Sequence, residues 1–107
     1  METSESMLLT IFLKHDQSQD LDALIAKLDA KGWWEHFPPE GVEIVGWNVV
    51  MGIGHVVTLR FPPRLLHAVN LEVERRAWGA FSTEFYASYD FMPARERLRQ
   101  KRLQNAK

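Results

Sequence analysis

The 107-residue sequence predicts a single α+β domain: a four-stranded antiparallel sheet with two helices, in the order β-α-β-β-α-β. Three observations predict it. Two apolar runs rich in β-branched and aromatic residues, 42–51 and 55–61, flank Gly52-Ile53-Gly54 and read as a β-hairpin. On each side of that hairpin, apolar residues recur instead at helical spacing. Two further strand-like runs, 7–15 and 82–91, open and close the set.

Met7-Leu8-Leu9-Thr10-Ile11-Phe12-Leu13-Lys14-His15 reads as a buried first strand. Ser18 and Asp20 are the best-placed N-cap candidates for the helix that follows, because a short oxygen-bearing side chain can accept from the unpaired amides of a first turn. Leu21, Leu24, Ile25 and Leu28 then form one apolar stripe, with Gly32 as the C-terminal stop. Trp33–Phe37 can add a helical turn before Pro38-Pro39 ends it. After the hairpin, Pro62-Pro63 suits a strand end and a helix start. Leu65, Leu66, Val69, Val73 and Ala77 make the second stripe, which Gly79 terminates. Residues 82–91 alternate as the last strand, with Thr83, Phe85, Ala87, Tyr89 and Phe91 on one face. The order is that of the split βαβ, ferredoxin-like plan, with both helices on one face of the sheet.

Composition bounds the function. A chain with 46% hydrophobic and 25% charged residues is an ordinary globular domain, here assigned to residues 7–91. Residues 1–6 are polar and expected to be disordered. Residues 92–107 form a basic tail of helix-forming composition, with Leu98 and Leu103 its main means of docking. A formal charge of −1 makes no case for nucleic acid, and the tail lacks the interleaved aromatics of a nucleic-acid reader. There is no cysteine, so disulfides, thiolate metal sites and a thiol nucleophile are excluded. No apolar run has the length of a membrane span and nothing resembles a signal peptide, so the expectation is a soluble cytoplasmic protein without a membrane partner.

Both hairpin strands carry apolar residues on both faces, unlike an antiparallel sheet wetted on one side. Two helices cover one face. The other would expose Phe12, Val56 and some of Val45, Trp47, Val49 and Met51, a patch of the kind that marks an interaction surface. The expected partner is a second copy of the chain, a homodimer through the open sheet face. Lys14, Arg60 and Glu84 fall on that face and must pair or lie at its rim.

The element order, the Val49-Val50-Met51-Gly52-Ile53-Gly54-His55-Val56-Val57 hairpin and the opening Met7–Leu13 run resemble the dimeric α/β-barrel superfamily of ferredoxin-like proteins. The opening run is similar to that of muconolactone isomerase-like members, and the group includes antibiotic biosynthesis monooxygenase-like ones. The resemblance implies two sheets meeting face to face and a pocket between sheet and helices. Uses of that pocket in the group include cofactor-independent monooxygenation, lactone isomerisation and haem breakdown. No catalytic set matches residue by residue.

The chemistry-bearing candidates come from the plan. First and third strands are neighbours, and a register setting Leu13 opposite Val57 brings His15 near His55 on the helix-covered face. Two neutral imidazoles can pass a proton near pH 7. The competing account makes one a solvated strand-end residue and the other a turn residue. A metal would need a third ligand, and neither Asp16 nor His36 completes a recognised spacing; no metal and no cofactor are expected. Trp33, Trp34, Trp78 and Phe81 are candidate pocket walls, with Asn48 a candidate ligand hydrogen-bonder. The same aromatics equally suit core or interface. No phosphate loop or nucleophile elbow is present. The expected function is a homodimeric protein binding a small aromatic or hydrophobic molecule, as a cofactor-independent isomerase or monooxygenase with His15 and His55 moving the proton. Its rival is a non-catalytic binding or structural protein. A third reading is a regulatory module that contacts an acidic partner through the tail.

Overall fold

The computed structural model describes residues 5–106. Four strands, β1 (Met7–His15), β2 (Glu43–Val50), β3 (Gly54–Phe61) and β4 (Phe81–Ser88), form one antiparallel sheet in the order β2-β3-β1-β4. Helix α1 (Leu21–Ala30) and a single turn, α2 (Trp33–His36), join β1 to β2. A 3₁₀ turn at Pro63–Leu65 leads into α3 (Leu66–Arg76), and α4 (Met92–Asn105) follows the sheet. This is the ferredoxin-like arrangement the sequence predicts, with α2 and α4 added. Of the expected disordered segment 1–6, residues 1–4 lie outside the described residues.

Local chemistry accounts for the element ends. Asp20 caps α1, its carboxylate accepting from the Ala23 amide at 2.8 Å. Gly32 stops the helix in the left-handed region at φ 69°, a conformation glycine adopts without steric cost. Pro63 opens the 3₁₀ turn, where its missing N–H is no loss. Strand β4 runs from Phe81 to Ser88, so Tyr89, Asp90 and Phe91, expected within the strand, lie beyond its end. There the Asp90 carboxylate accepts from the Met92 amide and turns the chain into α4.

The core lies between the sheet and its helices. Leu9, Ile11 and Leu13 of β1 and Val57, Leu59 and Phe61 of β3 are buried against Leu24 and Leu28 of α1 and Val69 and Val73 of α3. Each such side chain contributes about 1.5–3 kcal/mol relative to exposure. Trp33 is fully buried, stacked on Phe37 with centroids 4.3 Å apart, and its indole N–H has no hydrogen-bond partner.

Two details of register correct the expected one. Leu13 lies opposite His55, not Val57, a slip of two residues that preserves the face of every side chain. In β2 the ladder skips Val45, between the Ile44–Leu59 and Gly46–Thr58 pairs. One extra residue inverts the alternation beyond it. Trp47 and Val49 therefore pair with Val57 and His55 on the helix-covered side, while Asn48 pairs with Val56 on the open side. The open face is consequently more mixed than expected. Leu8, Phe12, Val56 and Tyr86 share it with Thr10, Thr58, Asn48 and two ion pairs, Lys14–Glu84 at 2.8 Å and Arg60–Glu43 at 3.1 Å. Among the described residues, no helix is long and apolar enough to cross a membrane.

Candidate functional site

At one end of the sheet, each strand contributes a ring to the helix-covered face: Trp47 from β2, His55 from β3, His15 from β1 and Phe81 from β4. The ladders put them there, since Leu13 pairs with His55 and His15 pairs with Phe81. The His15 and His55 rings meet edge to face with centroids 5.5 Å apart. Phe81 stacks on His15 at 5.7 Å and lies 5.5 Å from His55. Helix α1 crosses above with Leu21, Leu24, Ile25 and Leu28. Together with Trp34, these side chains, the two imidazoles and Phe81 line a half-open cavity of about 160 Å³.

Backbone bonds fix this end of the sheet. The His15 amide donates to the Ile53 carbonyl at 2.9 Å, and the Asp16 amide donates to the Ala80 carbonyl. Gly54 approaches the backbone of Leu13 and Lys14 so closely that any side chain would strike it, and its φ of 153° also favours glycine. That glycine brings β1 and β3 together beside His55. The loop between α3 and β4 is tied to α1 in turn. Gln19 donates to the Gly79 carbonyl at 2.9 Å, and Lys31 donates to the Trp78 carbonyl at 2.7 Å.

The imidazoles differ in surroundings. The Trp47 indole N–H donates to His55 Nδ1 at 2.7 Å. Burial, with a smaller contribution from the neighbouring His15, pushes the His55 pKa below its ordinary value. His15 makes no side-chain hydrogen bond among those of the described residues and keeps its edge-to-face contact with His55 and its stacking on Phe81. Neutral imidazole therefore predominates at His55 near pH 7.

The sequence-predicted residues divide into two groups. His15, His55, Trp34 and Phe81 come together around the cavity. Trp33 does not line it; it lies beneath, where its two-ring bulk completes the core. Asn48 is on the opposite face of the sheet, moved there by the extra residue at Val45. Trp78 lies outside the cavity, beside a wider depression open to solvent that Gly79, Phe81, Ser82 and Thr83 share. Its indole donates to the Thr83 hydroxyl at 3.1 Å. The more closed, apolar cavity with polar groups at one wall is the better ligand site on physical grounds. Trp47, one of several residues the sequence left as candidates for the open face, faces the helices instead. It touches Trp33, Trp34, Phe37 and His55, with centroids 6.0–6.5 Å away. Val45-Gly46 ahead of a tryptophan was the available signal, since glycine within a strand often marks a bulge.

No group of three or more metal-ligating side chains occurs among the described residues. The fold and cavity define an α+β domain with a small apolar site bearing two imidazoles. No protein-family model matches the chain, and no curated protein or solved structure does either.

Proposed function

We propose that the chain is a small-molecule-binding protein of the dimeric α/β-barrel type, which works on a one-ring aromatic or hydrophobic compound by cofactor-independent proton transfer. The observation that carries this reading is the pair of imidazoles, 5.5 Å apart, in the wall of an apolar cavity. A cavity of about 150 Å³ takes one benzene-sized ring, so about 160 Å³ favours a single ring over a polycyclic system. Isomerisation fits better than oxygenation, because it asks only that protons move, and imidazoles do that near neutral pH.

The open sheet face supports the homodimer. Phe12 and Tyr86 form an edge-to-face pair there with centroids 5.8 Å apart, and the flanking charges are neutralised within the same face. Pairing lowers the cost of covering those charges, though their removal from water is still unfavourable.

The test titrates the protein with toluene and phenol while following the methyl resonances of Leu24, Ile25 and Leu28. Shifts confined to these methyls and to the His15 and His55 rings support the site. No response at millimolar probe would overturn it. Once a substrate is found, His15→Gln and His55→Gln are each expected to cut turnover by about 10²–10⁴-fold while leaving the melting temperature near wild type.

A further inference from the structure

The two imidazoles are unlike, and the difference begins with a residue outside the cavity. An indole N–H donates and has no lone pair to accept with. The 2.7 Å contact between Trp47 Nε1 and His55 Nδ1 therefore requires an unprotonated Nδ1. A neutral imidazole with a bare Nδ1 carries its proton on Nε2. His55 is itself a cavity wall, and Trp47 is not. Nδ1 faces Trp47, which leaves Nε2–H as the polar group His55 can offer a ligand. His15, stacked on Phe81 and meeting His55 edge to face, has no such lock.

We infer that Trp47 is a positioning residue that holds His55 as the Nε2–H tautomer, making His55 the hydrogen-bond donor of the site and leaving His15 to accept the proton. The inference rests on the cavity reading and narrows its ligand to a one-ring molecule bearing an acceptor oxygen, such as a cyclic ketone. The ketone oxygen meets His55 Nε2–H, and the rest of the ring lies against Leu24, Ile25, Leu28 and Phe81. Trp47 in turn is held by the rings of Trp33, Trp34 and Phe37. Trp33, Phe37 and Trp47 thus serve the site from behind, by fixing one nitrogen, while Trp34 also lines the cavity.

The experiment has two arms. In the first, long-range proton–nitrogen spectra of the ¹⁵N-histidine-labelled free protein report the His55 tautomer. The expected result is a bare Nδ1 and a protonated Nε2, with a mixture of tautomers in Trp47→Phe. A protonated Nδ1 in the wild-type protein overturns the inference, whether or not the variant folds. So does an unchanged His55 tautomer in a folded Trp47→Phe protein. The second arm compares cyclohexanone with methylenecyclohexane, which has the same shape but lacks the oxygen. Cyclohexanone is expected to bind about tenfold tighter, the value of one net hydrogen bond, and the preference is expected to vanish in His55→Phe. Equal binding of the two overturns the donor role of His55. Failure of both to bind overturns the cavity reading, while the first arm still decides what Trp47 does.

Discussion

Asp20 is the clearest case of one side chain deciding where an element begins. Its carboxylate accepts from Ala23, so Asp20→Ala is expected to cost about 1 kcal/mol in urea unfolding, with Asp20→Asn close to wild type. At His55 the consequence is a pH dependence. The folded imidazole resists a proton that the unfolded chain accepts at its ordinary value of 6.5. As pH falls through 6.5 the unfolded state gains protons first, and stability declines until the lowered folded value is passed. Above that window both states are neutral and His55 contributes nothing. His55→Gln is expected to flatten stability between about pH 7 and pH 5, measured by chemical denaturation. Asp16 and Glu84 act in a separate, more acidic window. Their carboxyls are held low, by the Ser18 hydroxyl at Asp16 and by the Lys14 ammonium at Glu84.

The hairpin and α4 show opposite ways in which an element relates to the rest. Gly54 lets β3 lie against β1 at the histidine end, and a Cβ there would strike the Leu13 carbonyl. Gly54→Ala is expected to cost about 3 kcal/mol or more and to separate His15 from His55. A lowered urea midpoint, with the two rings losing their mutual contacts in NMR spectra, is the readout. Gly52 has a positive φ as well, yet nothing lies within 4 Å of the position its Cβ would take, so the two glycines have different reasons to be there. Helix α4, by contrast, buries no residue and packs against no other element beyond sparse contacts. Arg95, Arg97, Arg99, Lys101 and Arg102 line it, and Leu98 and Leu103 are exposed. A chain ending at Asp90 is expected to melt within about 4 °C of the full chain, because surface changes without buried contacts shift stability by about 0.5 kcal/mol or less.

For the molecule as a whole, the proposed homodimer is tested at the open sheet face. Light scattering at micromolar concentration is expected to give twice the chain mass, and Phe12→Glu with Tyr86→Glu is expected to halve it. A wild-type monomer would remove the dimer. Much of this architecture is legible in the sequence. The helical stripes through Leu24 and Leu28 and through Val69 and Val73, the alternating strands and the turn glycines each depend on short-range periodicity, which survives without knowledge of the partners. That periodicity also puts His15 and His55 on one face, since a register error of two residues leaves the face unchanged. A bulge is different, because one added residue reverses every later position. Whether Val45 is that residue depends on how β2 fits β3 and on where the rings of Trp33 and Phe37 need Trp47, contacts distant in the chain. Local pattern thus determined the elements, their order and the two histidines. Only the tertiary structure decided that Trp47 faces inward and Asn48 outward, because a strand's side is set by the neighbour it pairs with, not by its own alternation.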